Sequence, residues 1–83
     1  MASETSNITE LVEYLVTSLV DDPKQVEINS QVDGDKLSIT ILAAQEDVGK
    51  VIGRNGRTIK SIRTLARAAA GNTSTIVEVD VEG

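Results

Sequence analysis

The first regular hydrophobic pattern in the chain predicts an amphipathic helix. Its apolar residues recur at the i, i+3, i+4, i+7 and i+11 positions of one helix face, namely Ile8, Leu11, Val12, Leu15 and Leu19. Asn7 can cap this helix, and Glu10 completes a capping-box pattern. Pro23 should end it, because the residue before a proline is pushed out of the α region. The polar residues 1–6 are predicted to form a flexible N-terminus.

Three later segments alternate between apolar and polar residues, as strands with one buried face do. The apolar positions of the first segment are Val26, Ile28 and Val32. Those of the second are Leu37, Ile39, Ile41 and Ala43, with Ser38, Thr40 and Leu42 on its other face. Those of the third are Thr75, Val77, Val79 and Val81. Asp33-Gly34-Asp35 separates the first two segments and predicts a hairpin turn, since glycine readily adopts a positive φ.

Two helices are predicted between the second and third strands. The first is short and carries Val48, Val51 and Ile52. The second extends from about Gly56 to Ala70, with an apolar side made of Ile59, Ile62, Leu65, Ala66 and Ala69. Gly71 follows it at the position that glycine favours after a helix. The predicted fold class is therefore α+β, in the order α-β-β-α-α-β, with a three-stranded sheet covered on one face by three helices.

Composition narrows the possible functions. The 83 residues suffice for one small domain, and the chain contains neither cysteine nor histidine. Disulfides, thiolate chemistry and the usual nucleophile–base pairs are therefore absent, so we predict no enzyme, no catalytic residue, no cofactor and no metal site. The N-terminus lacks the features of a signal peptide, and no apolar run approaches the ~18 residues of a membrane span. We expect a soluble cytoplasmic protein with no membrane or small-molecule partner.

Charge is segregated along the chain. Residues 1–49 carry a net charge of −8, residues 50–71 carry +6 and residues 72–83 carry −3. This distribution predicts one basic face on an acidic body. The acidic remainder should suppress non-specific binding to nucleic acid duplexes.

The tetrad Gly53-Arg54-Asn55-Gly56 lies inside the basic segment and joins the two predicted helices. Two glycines three positions apart often make only a tight turn. Here, however, the next helix begins at the second glycine, so its unpaired N–H groups and positive dipole end would lie beside the loop. Glycine also lets a phosphate approach the backbone, and Arg54 adds a charged donor. The chain lacks the glycine patterns of nucleotide triphosphatases and of dinucleotide-binding proteins.

The segment Val51-Ile52-Gly53-Arg54-Asn55-Gly56-Arg57-Thr58-Ile59-Lys60-Ser61-Ile62 resembles the signature of the KH domain, whose GxxG loop clamps about four nucleotides. The element order is similar to that of the type II KH fold. With Asp22-Pro23 and residues 46–50, the resemblance extends to the KhpA family of small bacterial single-KH proteins. It covers the chain from about Ile8 to Val81 and implies a single KH domain at residues 7–82.

The resemblance also implies a set of RNA-binding residues. The backbone of the bound strand would be held by Gly53, Arg54, Asn55 and Gly56. Basic side chains would add phosphate contacts from Lys50, Arg57, Lys60 and Arg63. The groove under the bases would be walled by Val48, Val51, Ile52, Ile59 and Ile62, with Thr40 and Leu42 facing the bases from the strand side. The alternative for the apolar residues is a place in the core, and the alternative for the basic residues is a solvated helix face.

Proteins of this kind are implicated in RNA chaperoning and in control of cell elongation and envelope growth. They pair with themselves or with a second, larger KH protein of the KhpB type. The resemblance therefore implies single-stranded RNA as a partner, together with a homodimer or such a heterodimer. Two rival functions remain: a protein-interaction adaptor whose loop serves a dimer interface, and a helix-turn-helix DNA binder, which the short first helix disfavours. The sequence leaves open whether RNA or single-stranded DNA is preferred.

Overall fold

The computed structural model describes residues 2–71 and 74–82. Within them the elements follow the predicted α+β order, and their bounds are α1 Ala2–Leu19, β1 Glu27–Asp33, β2 Lys36–Leu42, α2 Val48–Ile52, α3 Arg57–Ala70 and β3 Ile76–Glu82. Short 3-10 turns occupy Pro23–Gln25, Gln45–Asp47 and Arg54–Gly56. No helix among the described residues is both long and apolar enough to cross a membrane.

The strands form one sheet with β2 in the centre. β1 pairs with β2 in the antiparallel sense through the predicted turn, where Gly34 has a φ of +62°. β3 lies parallel to β2 on its other side. A parallel pair needs a crossover connection, and α2 and α3 provide it. The 53–56 loop therefore lies in the middle of this crossover.

One hydrophobic core lies between the helices and a single face of the sheet. It is made of Ile8, Val12, Val16, Leu37, Ile39, Ile41, Val51, Ile59, Ile62, Ala66, Ala70, Val77 and Val79. In the parallel pair Ile39 lies opposite Val79, so the buried residues of β2 and β3 form rows beneath the helices. This confirms the predicted alternation of both strands.

Two predicted apolar helix faces are slightly displaced. In α3, Leu65 is 46% exposed and Ala69 is exposed, while Ala70 is buried. Consecutive helical residues are about 100° apart, so the core stripe passes through Ala66 and Ala70 and leaves their neighbours at its margin. In α1, Val16 joins the core, whereas Leu19 is exposed because it is the last residue of the helix and no further turn covers it.

Two further predictions differ from the structure. α1 begins at Ala2, so the predicted start at Asn7 is wrong; no glycine or proline lies between these positions to stop the helix. Met1 lies outside the described residues, and the domain boundary at residue 7 stays a prediction. β1 is less buried than predicted, with Val32 58% exposed, because the buried core lies over β2 and β3 rather than over β1.

Candidate nucleic-acid interface

The 53–56 loop is fixed by backbone hydrogen bonds. The Gly53 N–H donates to the Gly49 carbonyl at 2.8 Å and ends α2. The Gly53 carbonyl in turn accepts from the Gly56 N–H at 3.1 Å, which closes the 3-10 turn. Within the described part of the chain, no side chain caps the N-terminus of α3 at Gly56. The Arg57 N–H donates to the Arg54 carbonyl. The following N–H groups of the first turn have no acceptors within the helix, so they can bind an anion placed beside this loop.

Three of the four loop residues have a positive φ, which is +78° at Gly53, +57° at Asn55 and +74° at Gly56. Asparagine tolerates this region better than most side chains do. Gly53 has a second constraint, because a Cβ there would lie 2.2 Å from the Thr58 Oγ1 and 2.8 Å from the Thr58 backbone nitrogen. The first turn of α3 is thus packed directly against the loop.

The basic residues of the 50–71 segment fall into two groups. Arg54, Arg57 and Lys60 are exposed and have no ion-pair partner among the described residues. They lie in the loop and in the first turn of α3, beside the uncapped helix end. We call these three residues the loop cations. Of the basic residues that the sequence assigned to RNA binding, these three thus lie at the loop and carry no ion pair among the described residues.

Lys50 is instead engaged by carboxylates. Its Nζ forms an ion pair with Asp21 and lies 3.5 Å from Asp47 Oδ1. Asp47 is only 2% exposed, and its Oδ2 accepts a hydrogen bond from the Asp22 N–H at 3.1 Å. The side chain of Asp47 therefore fastens the segment after α1 to the start of α2. We call Asp21, Asp22, Asp47 and Lys50 the Asp47 anchor.

The pKa values of this anchor agree with its geometry. Burial raises the pKa of Asp47, but hydrogen bonds from the Asp22 and Asp21 backbone and the charge of Lys50 outweigh burial and lower the pKa overall. The pKa of Lys50 is raised by its hydrogen bond to Asp21, against the opposing effect of burial, and by the charges of Asp21 and Asp47. Both groups are therefore charged at neutral pH.

Two arginines of α3 reach the outer edge of β3. The Arg63 Nε donates to the Val79 carbonyl at 2.8 Å, and the Arg67 Nε to the Val77 carbonyl at 3.5 Å. The Arg63 Nη2 is 3.5 Å from Asp80 Oδ1. Between α3 and β3 lies a groove of about 510 Å³. Its helix wall is made of Lys60, Arg63, Thr64 and Arg67, and its strand wall of Glu78, Val79 and Asp80.

The predicted apolar groove residues divide by burial. Val51 is fully buried and Ile59 is 7% exposed, so both belong to the core, which is the alternative that the sequence left open. Val48 is half-buried, and Ile52 is 37% exposed. Only Val48 and Ile52 of this set retain surface that a base could touch. The core residues support the loop from beneath.

Thr40 and Leu42 are half-buried on the face of the sheet that points away from the helices. Thr40 pairs with Asn29 of β1 and Asp80 of β3 across that face. Both residues lie in the central strand, so β3 lies between them and the outer edge of the sheet that faces Arg63 and Arg67. Their contact with bases stays a prediction.

Several residues of the interface were not found by sequence reasoning. Asp47 lies directly before α2, and nothing in the local sequence pattern signals its contact with Asp22, 25 positions earlier. Glu78 and Asp80 alternate with the buried Val77 and Val79 of β3. That pattern alone places them on the polar face of the strand and does not signal the groove that they line with α3. Among the described residues, no group of three or more acidic side chains is placed to hold a metal ion.

Comparisons with known proteins agree with this architecture. A family model described as "KhpA/KhpB, KH domain" matches residues 9–81. A protein of Borreliella burgdorferi called RNA-binding protein KhpA is 43% identical over 79 residues, covering 94% of this chain and 95% of the relative. A protein of Clostridium perfringens with the same name is 42% identical over 72 residues, covering 84% of this chain and 96% of the relative.

A third relative, from Caldanaerobacter subterraneus subsp. tengcongensis, is also called RNA-binding protein KhpA and is 46% identical over 61 residues, covering 74% of this chain and 81% of the relative. No solved structure gives a significant match. The element order, the mixed sheet and the crossover loop are those of a type II KH fold. The chain belongs to the KhpA/KhpB family of KH domains.

Proposed function

We propose that this protein binds single-stranded RNA and is not an enzyme. The sugar-phosphate backbone of the RNA lies on the 53–56 loop and the first turn of α3, and the contact covers about four nucleotides. The observation that carries the proposal is the set of loop cations, which are exposed and unpaired among the described residues, on a chain with a net charge of −5. The relatives in this family are named RNA-binding proteins, which supports RNA as the ligand.

The loop cations would act on phosphates in combination with the backbone. Arg54 offers charge-assisted hydrogen bonds, and Arg57 and Lys60 lie one helical turn apart or less, on the same side of α3's start. The glycines carry no Cβ, so a phosphate can approach the backbone of the loop closely. Because only three unpaired cations are involved, the proposed slope of log affinity against log salt is shallow, about −2 at roughly −0.7 per neutralised phosphate.

The bases would lie against exposed apolar surface without aromatic stacking. The chain has a single aromatic residue, Tyr14, which is 69% exposed on α1. Val48 and Ile52 offer the exposed apolar surface next to the loop. With few phosphate contacts and no aromatic platform, the expected dissociation constant for a short RNA is micromolar or weaker.

Substitutions in the 53–56 loop that leave the fold intact test the proposed RNA binding. Arg54 and Asn55 are both replaced by Asp, which tolerates the left-handed backbone of residue 55 as asparagine does. Binding of a short single-stranded RNA is measured by fluorescence anisotropy, beside thermal unfolding. The variant should unfold within a few degrees of the wild type and lose RNA binding. A folded variant that binds RNA as well as the wild type would refute the proposed clamp.

A matched control carries the same change in net charge elsewhere. Lys24→Asp with Asn29→Asp alters one basic and one asparagine residue, both exposed and outside the loop. If binding depends on the loop, this control keeps most of its affinity. If the control loses as much as the loop variant, general charge rather than the loop determines binding. Repeating the series with single-stranded DNA of the same sequence tests the preference for RNA.

Pairing with a second KH domain is a further proposal, made for a specific surface. Leu65 is 46% exposed on α3, in a shallow groove of about 570 Å³ that it lines with Arg57, Lys60, Ser61 and Thr64. A single exposed leucine is common on protein surfaces, so the proposal rests on the groove as a whole and on the family description. The family description names both KhpA and KhpB, which supports either a homodimer or a heterodimer with a larger KhpB-type protein.

Sedimentation with and without RNA distinguishes the two roles of this surface. Leu65→Ser should weaken self-association or binding to the KhpB-type partner, while the loop variant should not. A tight dimer that binds no RNA at any salt concentration would favour a protein-interaction adaptor.

The cellular role is proposed from the family resemblance: an RNA chaperone or post-transcriptional regulator, located in the cytoplasm, with effects on cell elongation, cell shape and cell wall biogenesis or degradation. Complementation of a deletion strain tests it. The wild-type chain should restore cell length, and the loop variant should not.

A further inference from the structure

The groove between α3 and β3 differs in charge from the loop beside it. Its helix wall presents hydrogen-bond donors from Arg63 and Arg67, and its strand wall presents the carboxylates of Glu78 and Asp80. The carboxylates of the strand wall would repel a phosphate. Arg54 and Arg57, which could attract one, lie outside this groove. The groove is therefore suited to a ligand that carries acceptors on one edge and donors on another. At about 510 Å³ it lies in the size range of small-ligand sites.

Arg63 is held in one orientation within this groove. Its Nε donates to the Val79 carbonyl at 2.8 Å, and its Nη2 lies 3.5 Å from Asp80 Oδ1, with the side chain 37% exposed. A guanidinium carries five N–H donors in a planar fork, so fixing one side of the fork also fixes the direction of the remaining donors. Because its donors point in fixed directions, such a group is better suited to a planar ligand with acceptors at fixed positions than to a phosphate that can bind in several orientations.

The two walls together match one nucleobase. Guanine carries two neighbouring acceptors, O6 and N7, which an arginine fork can contact in a bidentate manner. It also carries two neighbouring donors, N1–H and the N2 amino group, which suit a carboxylate. Adenine, cytosine and uracil each lack at least one of these two pairs. Single-stranded RNA exposes both edges of a base to such side chains.

We propose that the groove between α3 and β3 selects guanine at one position of the bound strand, with the Arg63 guanidinium contacting O6 and N7 and the Asp80 carboxylate accepting from N1–H and the N2 amino group. The base enters between the two side chains and replaces their 3.5 Å contact, while the hydrogen bond of the Arg63 Nε to the Val79 carbonyl is kept. This inference rests on the proposed RNA binding and adds a base preference to it. It replaces the phosphate contact that the sequence suggested for Arg63. The Glu78 carboxylate contributes less, because Lys36 Nζ lies 3.1 Å from it.

The test uses pools of short single-stranded RNA in which one position at a time is fixed as G, A, C or U and the others are random. Affinities of the full chain are measured by fluorescence anisotropy. One position should favour guanine about tenfold, the discrimination that a bidentate base contact typically gives. Replacing that guanine by 7-deazaguanine removes N7 and should remove most of the preference, and inosine, which lacks the N2 amino group, should reduce it as well.

Two variants assign the preference to its residues. Arg63→Lys keeps the charge but lacks the fork, so it should lose the guanine preference and become insensitive to 7-deazaguanine. Asp80→Asn should bind the guanine and the inosine RNA with equal affinity. Its side chain is 76% exposed, so the variant should fold and provides a second test if Arg63→Lys unfolds. Lys24→Gln, which removes one charge outside the groove, should keep the wild-type preference.

The possible results separate the two proposals. If the wild type binds no pool, both RNA binding and guanine selection are refuted. If it binds every pool equally, RNA binding stands and guanine selection is refuted. If it prefers guanine but Arg63→Lys and Asp80→Asn keep that preference and its sensitivity to both analogues, the assignment to this groove is refuted.

Discussion

Gly53 and Gly56 share a sequence pattern but not a structural constraint. Both have a positive φ, yet a Cβ at Gly53 would lie 2.2 Å from the Thr58 Oγ1, whereas the nearest atom to one at Gly56 is 4.0 Å away. Gly49, in α2, does not have a positive φ, and a Cβ there would have no heavy atom within 4 Å among the described residues outside its own helix turn. These differences give each glycine a distinct expected response to substitution.

Urea unfolding of three alanine variants tests this distinction. Gly56→Ala should lower the free energy of unfolding by about 1–2 kcal/mol, the cost of a left-handed residue with a Cβ. Gly53→Ala should lower it by about 2–5 kcal/mol, because overpacking against Thr58 is added. Gly49→Ala should raise it by about 0.5–1 kcal/mol, since alanine is the better helix former. Equal losses at residues 53 and 56 would contradict the packing of Thr58 on the loop.

Asp47 is a residue whose importance only the structure reveals. It is a carboxylate directly before a short helix, yet its side chain is buried and accepts a hydrogen bond from a segment 25 positions earlier. Long-range contacts of this kind leave no periodic signal in the sequence. The same holds for the contact of Arg63 with the Val79 carbonyl, 16 positions away.

The Asp47 anchor predicts a defined pH dependence of stability. The pKa of Asp47 in the folded protein is below its ordinary value of 3.8, so the ionised carboxylate stabilises the fold above that value, and this contribution is lost as pH falls through the folded-state pKa. Asp47→Asn should therefore lower the melting temperature at neutral pH, and the difference from the wild type should shrink at pH values well below 3.8. A difference that stays constant down to that range would contradict the anchor.

At the scale of elements, α3 connects the fold to the interface. Its periodicity predicted the helix and its end, and Gly71 follows with a φ of +65° and donates its N–H to the Ala68 carbonyl at 3.0 Å. The periodicity placed the apolar face within one residue of the observed stripe. It did not distinguish basic residues that point to solvent from those held by β3, because that depends on which strand the helix packs against.

α2 and α3 each contribute one lysine with a different expected role. Lys50 in α2 is engaged by Asp21 and Asp47, whereas Lys60 in α3 has no ion pair among the described residues. Lys60→Gln should reduce the magnitude of the salt slope of RNA binding by about 0.7. Lys50→Gln should leave that slope nearly unchanged and should lower the melting temperature. Lys24→Gln is the control that changes neither, and a larger slope change for Lys50→Gln than for Lys60→Gln would contradict the assignment.

At the scale of the whole molecule, the positive charge is concentrated in the crossover connection between β2 and β3. The sequence showed a net +6 in residues 50–71, but the structure divides these residues between the loop cations, the Asp47 anchor and the outer edge of β3. The element order followed from the hydrophobic pattern, since it depends on local periodicity. The partition of charge did not, since it depends on contacts between elements that are distant in the chain.

The most direct measurement of RNA binding at the 53–56 loop is an NMR titration of the isotope-labelled full chain with a short single-stranded RNA. We expect the largest shift changes of backbone amides on residues 53–60, with smaller ones on 79–81, while β1 and the exposed side of α1 change little. Changes centred on β1 or on the open face of the sheet, with the 53–56 loop unaffected, would contradict the proposed interface.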